Sequence, residues 1–402
     1  MRMPRVLEPL RHRNFRLLWI GQTISILGNF IYGVALPFQI LALGGSALQL
    51  GLGASIASVT MLLSLLVAGA LVDRVPRRRV LLVSDFASGL VMTVVAGLGL
   101  TGALVIEHLY VAAAFFGVAF AFVGPAITAI IPELIPQDVL VPGNAMRGLS
   151  RQIAQVSGPV IGGAIVALAG PPIAFAFNAV TFFLSFVAVL LVRPGQREPQ
   201  VVLPFLRQIR EGLAFTFSVP WLWITIFLWA FINMAESGPF VVALPLLVRD
   251  VLLGDARVYG AIVAAMGLGE IIGTFTISQL HVRRTGLAIY GWAVLSALTY
   301  VVLGLLPILP VILVLSAIRG LSFVGFGVLW ETALQRHVPR ELLGRVASID
   351  WFGGVLMGPI APVVFAAIVE SVGPASSFLI GGLASLALLL PALAVRSIRE
   401  ME

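Results

Sequence analysis

The sequence predicts an all-α membrane protein with twelve transmembrane helices, arranged as two six-helix pseudo-repeats with both termini in the cytoplasm. Of the 402 residues, 59% are hydrophobic and only 11% are charged, and the mean hydropathy is +1.06. No soluble domain is that apolar. Apolar segments of roughly 20 residues or more follow one another, and each can cross a hydrocarbon core of about 30 Å at about 1.5 Å per residue.

Short polar stretches separate these segments along the chain. The first segment follows an arginine-rich N-terminus that has no small-residue cleavage site, so we interpret it as a span and not as a removed signal. The predicted segments are 15–42, 47–71, 79–101, 108–131, 144–169, 173–192, 220–247, 257–280, 286–306, 310–335, 347–370 and 374–395.

The distribution of arginine sets the predicted orientation. All 25 basic residues are arginine, and all but Arg249, Arg257 and Arg319 lie in the N-terminal region, in alternate loops or in the C-terminal tail. Arg147 and Arg151, at the start of the fifth segment, belong to this larger set. Because arginine-rich short loops stay inside, these regions are predicted to be cytoplasmic. We expect a multi-pass protein of the cell inner (plasma) membrane.

The two halves of the chain resemble each other. Three short matches recur in the same order, about half the chain length apart: Val34–Pro37 with Val242–Pro245, Leu18-Trp19 with Leu222-Trp223, and Gly158-Pro159 with Gly358-Pro359. They indicate a parallel six-plus-six duplication. The predicted domains are an N-terminal six-helix bundle (1–193), a cytoplasmic linker with an interfacial helix (194–219) and a C-terminal six-helix bundle (220–402).

The interfacial helix is predicted from the spacing of apolar residues in the linker. Leu206, Ile209, Leu213 and Phe217 fall on one helical face. The alternative is a linker without a helix.

Several classes of function are excluded by composition. The chain has no cysteine and no lysine, so disulfides, thiolate chemistry, Schiff bases and a P-loop lysine are absent. The four histidines form no ligand spacing, so we expect no metal and no other cofactor. The net charge of +7 lies in short loops and not on one folded face, which argues against nucleic acid as a partner. The expected partners are a small-molecule substrate, protons and the lipid bilayer, and we expect a monomer.

The loop 69–79 joins the second and third segments and is strongly charged, with one acid followed by four arginines. It resembles the signature loop of the major facilitator superfamily, a Gly-x-Leu-Ala-Asp-Arg-x-Gly-Arg-Arg pattern between the second and third spans. The matching positions are Gly69, Asp73, Arg74, Arg77 and Arg78, while Pro76 replaces the usual glycine and Val72 the usual alanine. The resemblance implies the major facilitator fold, with a binding site between the halves near the midplane.

In that superfamily this loop latches the cytoplasmic side, so the resemblance implies a cytoplasmic gate. Asp73 can pair with Arg77 or cap a nearby helix N-terminus. The alternative is that the arginines only set the topology, for which Asp73 is not needed. We interpret Asp85, Glu331 and Asp350 as further partners for arginine. The predicted gate comprises Gly69, Asp73, Arg74, Arg77, Arg78, Asp85, Glu133, Glu331 and Arg345.

The fifth segment carries a small-residue pattern around a proline. Its members are Gly158, Pro159, Gly162 and Gly163. Glycines four residues apart let a neighbouring helix approach closely, and the proline bends the helix. The pattern resembles the antiporter motif of facilitator drug exporters, a Gly-Pro-x-x-Gly-Gly core. The eighth segment repeats the spacing at Ala265, Gly269 and Gly273. We expect the fifth and eighth helices to pack on each other. The alternative is that the pattern serves helix packing alone and does not indicate an exporter.

Three local sequences resemble one branch of the superfamily, the twelve-span drug:proton antiporters that include macrolide-efflux pumps and the enterobactin exporter. They are Asn14–Trp19, Pro132–Pro136 and Trp330–Arg336. In that branch the first span often reads Leu-Gly-Asp, whereas this chain has Asn29 at the position of the acid. A titratable group is therefore missing there.

Three charged residues lie near the middle of apolar segments and are the predicted proton-coupling residues: Glu236, Glu270 and Arg319. A charge at that depth costs at least about 2.5–3.5 kcal/mol, so each should face a partner or a cavity. Burial disfavours the ionised form of a carboxyl group, which lets it bind and release a proton near neutral pH. Arg319 is predicted to pair with Glu236 or Glu270. A static structural ion pair is the alternative.

The predicted substrate cavity combines polar and aromatic side chains that lipid would not favour on every face. It comprises Gln22, Asn29, Tyr32, Phe116, Trp229 and Asn233. Aromatic cavities with few charges suit amphipathic organic substrates. Ordinary packing is the alternative for most of the phenylalanines.

These patterns together favour a secondary active exporter of amphipathic small molecules, of the drug, macrolide or siderophore kind, working by alternating access and proton antiport. The first alternative is an uptake symporter or a lipid or metabolite transporter of the same fold. The second is a membrane enzyme or a non-transporting receptor. The absence of hydrolase and metalloprotease motifs argues against an enzyme, and the absence of a sizeable soluble domain argues against a receptor.

Overall fold

Helices account for nearly the whole of the computed structural model, which describes residues 5–193, 205–277, 279–280, 282 and 284–400. Within the helices, only the backbone is described for Val6, Leu66, residues 69–74 and residues 205–209. The α-helices are α1 (Arg13–Ala42), α2 (Ala47–Arg74), α3 (Arg77–Leu100), α4 (Ile106–Leu134), α5 (Leu140–Ala169), α6 (Pro171–Leu190), α7 (Phe205–Ser218), α8 (Pro220–Gly238), α9 (Leu244–Leu246), α10 (Ala256–Ile277), α11 (Thr285–Leu305), α12 (Leu309–His337), α13 (Arg340–Val355), α14 (Ala361–Val372), α15 (Pro374–Ala392) and α16 (Arg396–Arg399).

The predicted fold class is confirmed. In the described part of the chain, 11 helical stretches are long and apolar enough to cross a membrane, and α14 is a shorter apolar helix. Ordinary surface helices show one apolar stripe, whereas these are apolar all round, as helices in lipid must be.

The predicted eleventh segment, 347–370, is not one continuous helix. It is divided between α13 and α14, which are separated by a turn at 356–360. Pro359 lies in this turn, and proline has no N–H for the helical ladder and disfavours helical geometry in the residue before it. Gly358 precedes it and lowers helix propensity further. The pattern of apolar residues does not register this interruption.

The seventh segment also departs from a regular α-helix. After α8 the chain makes π-helical turns at Pro239–Ala243 and Leu247–Val251, with the short α9 between them. Prolines at 239 and 245 remove backbone donors, and wider turns accommodate them without a break. The whole stretch Pro220–Val251 remains long enough to span a bilayer.

Contacts divide the chain into two units. The first comprises residues 1–199 together with 254–264, and the second comprises residues 200–253 together with 265–402. The predicted domain boundaries at 193 and 219 stay a prediction. Leu206 and Ile209 of the predicted interfacial face lie outside the described side chains, although α7 itself is helical.

In the first unit, α1 packs against α5 and α6, α3 packs against α6, and α2 packs against α4. Part of its core lies around Phe15, Leu81, Ile130 and Val189, all of which are almost fully buried. An added Cβ at Gly117 of α4 would collide with α2, so the absence of a side chain permits this close crossing.

The second unit repeats this arrangement. Helix α11 packs against α12 and α15, and α8 packs against α15. An added Cβ at Gly320 of α12 would collide with the backbone of α10 at Met266, as the corresponding atom at Gly117 would with α2. The pairs α2/α4 and α10/α12 therefore each cross through a glycine, which agrees with the similarity of the two halves in the sequence.

The small-residue pattern on α5 contacts two helices, α1 and the beginning of α10, so the expected contact between α5 and α10 is present beside a second one. Gly158 and Gly162 face α1, where added Cβ atoms would meet Phe30 and Ile31. Within the first unit, α5 does meet the beginning of α10, but through Gly163, whose added Cβ would lie 3.1 Å from the Cα of Arg257.

The predicted partner pattern on α10 likewise serves another contact. Added Cβ atoms at Gly269 and Gly273 would meet Ala317 and Leu321 of α12 within the second unit. Small-residue spacing predicts that a helix has a close neighbour but does not identify the neighbour, because the spacing is the same for every partner.

Candidate functional site

A buried carboxylate, Glu236, is the centre of a polar cluster in the second unit. It lies near the C-terminal end of α8 and is only 8% exposed. Ser296 of α11 donates a hydrogen bond from Oγ to Glu236 Oε2 at 2.8 Å. One helical turn further on, the Tyr300 hydroxyl donates to the backbone carbonyl of Glu236 at 2.7 Å. The carboxylate and its own backbone are therefore both held by α11.

Arg319 of α12 completes the cluster. Its Nε lies 3.8 Å from Glu236 Oε2, which is within ion-pair range but too long for a hydrogen bond. The Nε atom is buried and has no hydrogen-bond partner. The guanidinium instead donates from Nη1 to the sulfur of Met266 at 2.7 Å and lies about 5 Å from the ring centroids of Phe240 and Tyr300. Such cation–π contacts stabilise a desolvated cation.

The structure thus brings together two of the three predicted coupling residues. The carboxylate within ion-pair distance of Arg319 is that of Glu236, while Glu270 lies partly buried on α10. Ser296 and Tyr300 were not among the predicted site residues. Their four-residue spacing places both on one helix face, but α11 also contains Tyr290 and Thr299, so the spacing does not by itself identify them.

Two further predicted residues lie on α8, on the N-terminal side of Glu236. The Trp229 ring stacks on Phe326 of α12, with centroids 3.8 Å apart and planes 6° from parallel. Asn233 donates from Nδ2 to the carbonyl of Gly354 at 3.1 Å, close to the end of α13. A flat aromatic surface and an amide group are therefore fixed within two helical turns of Glu236.

The first unit contains a second buried carboxylate. Asp85 of α3 is 4% exposed and accepts a hydrogen bond from Ser185 Oγ of α6 at 2.7 Å. Gln22 of α1 donates from Nε2 to the same hydroxyl at 3.0 Å and to Asp85 Oδ2 at 3.5 Å. The interpretation of Asp85 as a partner for arginine is corrected here, because its partners are a hydroxyl and an amide within the bundle.

The remaining predicted cavity residues of the first unit have different surroundings. Tyr32 packs its ring against Phe116 and Phe175, at centroid distances of 5.2 and 5.9 Å. Phe116 in turn stacks on Phe182 at 5.9 Å. Asn29, one turn before Tyr32, is exposed within its own unit. Tyr32 and Phe116 therefore belong to an aromatic cluster that joins α1, α4 and α6.

The predicted gate residues are partly paired. Arg77 at the start of α3 forms an ion pair with Glu133 at the end of α4. Arg78 donates to the carbonyls of Val189 and Leu190 at 3.2 and 2.7 Å, and so caps the C-terminus of α6. The side chains of Asp73 and Arg74, and the surroundings of Gly69, lie outside the described part of the structure.

In the second unit, Arg345 of α13 pairs with Glu211 of α7. Asp350 accepts a hydrogen bond from the indole of Trp330 at 3.1 Å, so its partner is an aromatic N–H where an arginine was expected. Glu331 is exposed on α12. Glu211 was not among the predicted gate residues, because the linker sequence does not indicate which helix α7 contacts.

No group of three or more potential metal-ligating His, Cys, Asp or Glu side chains occurs among the described residues. Asp85 and Glu236 are single buried carboxylates: Asp85 is held by two neutral donors, and Glu236 by one neutral donor and one arginine.

Comparisons with known proteins agree with this architecture. The enterobactin exporters EntS of Citrobacter koseri and of Shigella dysenteriae are each 27% identical to the chain over 367 residues, covering 88% of this chain and 86% of theirs. Among solved structures, a bacterial homologue of the iron transporter ferroportin in an inward-facing state superposes with a TM-score of 0.72 at 18% identity. That match covers 95% of this chain and 97% of the other.

The nucleoside transporter NupG superposes with a TM-score of 0.72 at 13% identity, covering 98% of this chain and 99% of NupG. At these identities the two structures are informative about the fold alone. The sequence profile of one family, described as transmembrane secretion effectors, matches residues 5–402. The chain therefore belongs to the transmembrane secretion effector family of the major facilitator superfamily.

Proposed function

We propose that the protein is a secondary active exporter that moves amphipathic small organic molecules across the cell inner membrane by alternating access, in exchange for protons. The family match and the similarity to proteins named enterobactin exporters support export as the direction of transport. The observation that supports proton coupling is the Glu236–Arg319 cluster, an ion pair placed in the middle of an apolar bundle.

The cluster suits proton coupling because the ion pair between Glu236 and Arg319 is not reinforced by a hydrogen bond. When Glu236 is ionised, its charge is balanced by Arg319 and by the Ser296 hydroxyl. A proton that binds Glu236 removes the attraction to Arg319, whose guanidinium is also held by the Phe240 and Tyr300 rings and by Met266. Arg319 therefore keeps stabilising contacts whether or not Glu236 is protonated. Separation of α8 from α12 then does not leave the guanidinium without a partner.

The gate and cavity residues are assigned as follows under this proposal. The pairs Arg77–Glu133 and Arg345–Glu211 each tie one helix end to another within a unit, so that each unit moves as a body. Trp229, Asn233, Gln22, Asn29, Tyr32 and Phe116 contribute aromatic and amide surface to the substrate path. Two units that move as bodies are what alternating access requires.

Efflux from inside-out vesicles tests the proposal. We expect an imposed proton gradient to drive uptake of an amphipathic dye or macrolide into such vesicles, and a protonophore to abolish that uptake. Glu236→Gln should lower gradient-driven uptake at least about tenfold, whereas Glu107→Gln, an exposed acid at the start of α4, should transport normally. Gradient-independent transport by the wild type, or full activity of Glu236→Gln, would contradict coupling at this cluster.

Glu270→Gln distinguishes the two intramembrane acids. The geometry assigns coupling to Glu236, so the Glu270 variant should keep a protonophore-sensitive uptake. A loss confined to Glu270→Gln would move the coupling site to α10.

A further inference from the structure

A cavity of about 270 Å³ lies within the first unit, between the N-terminal halves of α1 and α5 and the C-terminal part of α4. Of the residues assigned to the substrate path, Gln22 lines it. The residues that matter for its chemistry are Trp19, Gln22, Ile131, Asn144, Arg147 and Arg151. Apolar side chains, among them Phe15, Leu18, Ile26 and Ile127, line it together with the charged and polar groups.

The two arginines carry the chemistry of this cavity. Arg147 and Arg151 lie one helical turn apart on α5, where two like charges destabilise a helix. In the described part of the chain, neither has a carboxylate within 4 Å, whereas Arg77, Arg319 and Arg345 each have one. Two unpaired cations are thus held side by side in the wall of a cavity.

Membrane topology alone does not explain this placement. A positive charge that only orients the chain acts equally well in a loop. Arg147 and Arg151 lie seven and eleven residues inside α5, which begins at Leu140, so they are roughly 10 and 16 Å along the helix at about 1.5 Å per residue. Arg147 is also half-buried.

A buried donor lies close to the two arginines. The indole N–H of Trp19 is buried and has no acceptor in the described structure. Two guanidinium groups that lack a carboxylate partner among the described residues, and one indole N–H that lacks an acceptor there, lie next to apolar side chains and match an anion that carries an apolar body. Arginine forks bind carboxylate, sulfonate or phosphate oxygens in pairs, which gives both affinity and orientation.

We propose that this cavity is a subsite for the anionic head of an amphipathic organic acid, with Arg147 and Arg151 binding the head and Trp19 and Ile131 contacting the adjoining apolar part. The proposal deepens the proposed function, on which it rests, by naming the substrate class. Because whole-ligand pockets measure about 300–1,000 Å³, the cavity accommodates the head and its first ring, and the rest of a larger solute lies outside it.

Equilibrium binding to the purified full chain tests this subsite with three probes that share one ring system. They are 2-naphthoate, which is anionic, 2-naphthalenemethanol, which is neutral, and 2-naphthylmethylamine, which is cationic. We expect 2-naphthoate to bind at least about tenfold more tightly than the other two. The double variant Arg147→Gln/Arg151→Gln should bind 2-naphthoate no better than the alcohol, while its binding of the alcohol stays unchanged.

The matched control is Arg340→Gln, which removes an exposed arginine at the start of α13 and should leave all three affinities unchanged. Arg147→Lys/Arg151→Lys keeps the two positive charges but not the forked guanidinium geometry, so it should retain an intermediate preference for the anion. If the glutamine variant fails to fold, this lysine variant tests whether the two arginines bind the anion. Equal binding of the three probes to the wild type overturns the proposal, as does undiminished 2-naphthoate binding in the double glutamine variant.

Binding and transport separate this subsite from the proposed function. Arginine-dependent binding in a protein that shows no proton-driven efflux would contradict the exporter assignment and leave the subsite in place. Proton-driven efflux without a preference for the anionic probe would contradict the subsite and leave the exporter assignment in place.

Discussion

Among the described residues, each unit buries one carboxylate, but the two are surrounded differently. Asp85 in the first unit is bonded to Ser185 and Gln22, which are neutral. Glu236 in the second unit has a neutral donor, Ser296, and a cation, Arg319, at 3.8 Å. An ionised Asp85 therefore leaves its cluster with one net negative charge, whereas an ionised Glu236 leaves its cluster neutral. The helix packing is similar in the two units, but the charges around the buried carboxylate differ.

This difference assigns different work to the two sites. Loss of one partner from a charged pair in a low-dielectric environment leaves an uncompensated charge, while loss of one hydrogen bond between neutral groups does not. Of these two buried carboxylates, Glu236 is the one whose protonation would change an attraction between charged groups on different helices, here α8 and α12. Three sets of substitutions test this comparison of the two units.

The largest expected effect follows removal of the arginine. Arg319→Gln should lower the free energy of unfolding by about 3–5 kcal/mol near neutral pH, because Glu236 then lacks its counter-charge. The loss should shrink as the pH falls, since a protonated Glu236 needs no cation. Unfolding of the purified protein by dodecyl sulfate titration, at two pH values, measures both effects. In the double variant Arg319→Gln/Glu236→Gln much of the stability should return.

A pH-independent loss in Arg319→Gln would contradict this account of the second cluster. It would indicate that Arg319 contributes mainly through packing against Phe240 and Tyr300.

A smaller effect is expected where helices cross through glycine. Gly117→Ala in the first unit and Gly320→Ala in the second place a Cβ against a facing backbone, so each should cost about 1–3 kcal/mol of stability. The controls are Gly124→Ala in α4 and Gly327→Ala in α12, where nothing lies within 4 Å of the added atom. These should be neutral or stabilise by up to about 1 kcal/mol, because alanine favours the helix.

The same unfolding titration compares all four variants. Equal costs at 117 and 320 would support a duplicated crossing, whereas a tolerated alanine at one of them would show that the two units pack differently there.

The smallest effect is expected at Asp85. Asp85→Asn keeps an oxygen that can accept the Ser185 hydrogen bond, so the loss of stability should be about 1 kcal/mol or less. Gradient-driven transport should keep its sensitivity to a protonophore. A loss of coupling in this variant that matches the loss in Glu236→Gln would remove the contrast between the two clusters.

Much of the fold could be predicted from the sequence because lipid imposes a strict condition. Every backbone group in the hydrocarbon must be bonded within its own helix, so an apolar run of sufficient length indicates a helix whatever its neighbours are. The condition fails at Gly358-Pro359, where the predicted eleventh helix is interrupted. It is relaxed after α8, where π-helical turns at Pro239–Ala243 and Leu247–Val251 flank the short α9 that contains Pro245. Hydropathy counts apolar side chains and does not register a missing N–H.

The candidate site was predictable only in part. A charge in the middle of a span is expensive, so Glu236 and Arg319 could be singled out and a pair expected. The choice between Glu236 and Glu270 could not be made, because it depends on how α8, α10 and α12 are rotated about their axes. The neutral partners Ser296 and Ser185 carry no such signal, since a serine in a membrane helix can bond its own backbone.

Composition alone determined that the chain is a bundle of membrane helices, and the positions of the arginines along the chain predicted which loops are cytoplasmic. Both follow from the free energy of moving side chains between water and lipid. Only the tertiary structure decided which helix faces meet: that Arg319 lies beside Glu236, that Asp85 is held by a hydroxyl and an amide, and that Arg147 and Arg151 line a cavity. The physical reason is that side-chain spacing defines a face, whereas the partner of that face depends on the packing of the whole unit.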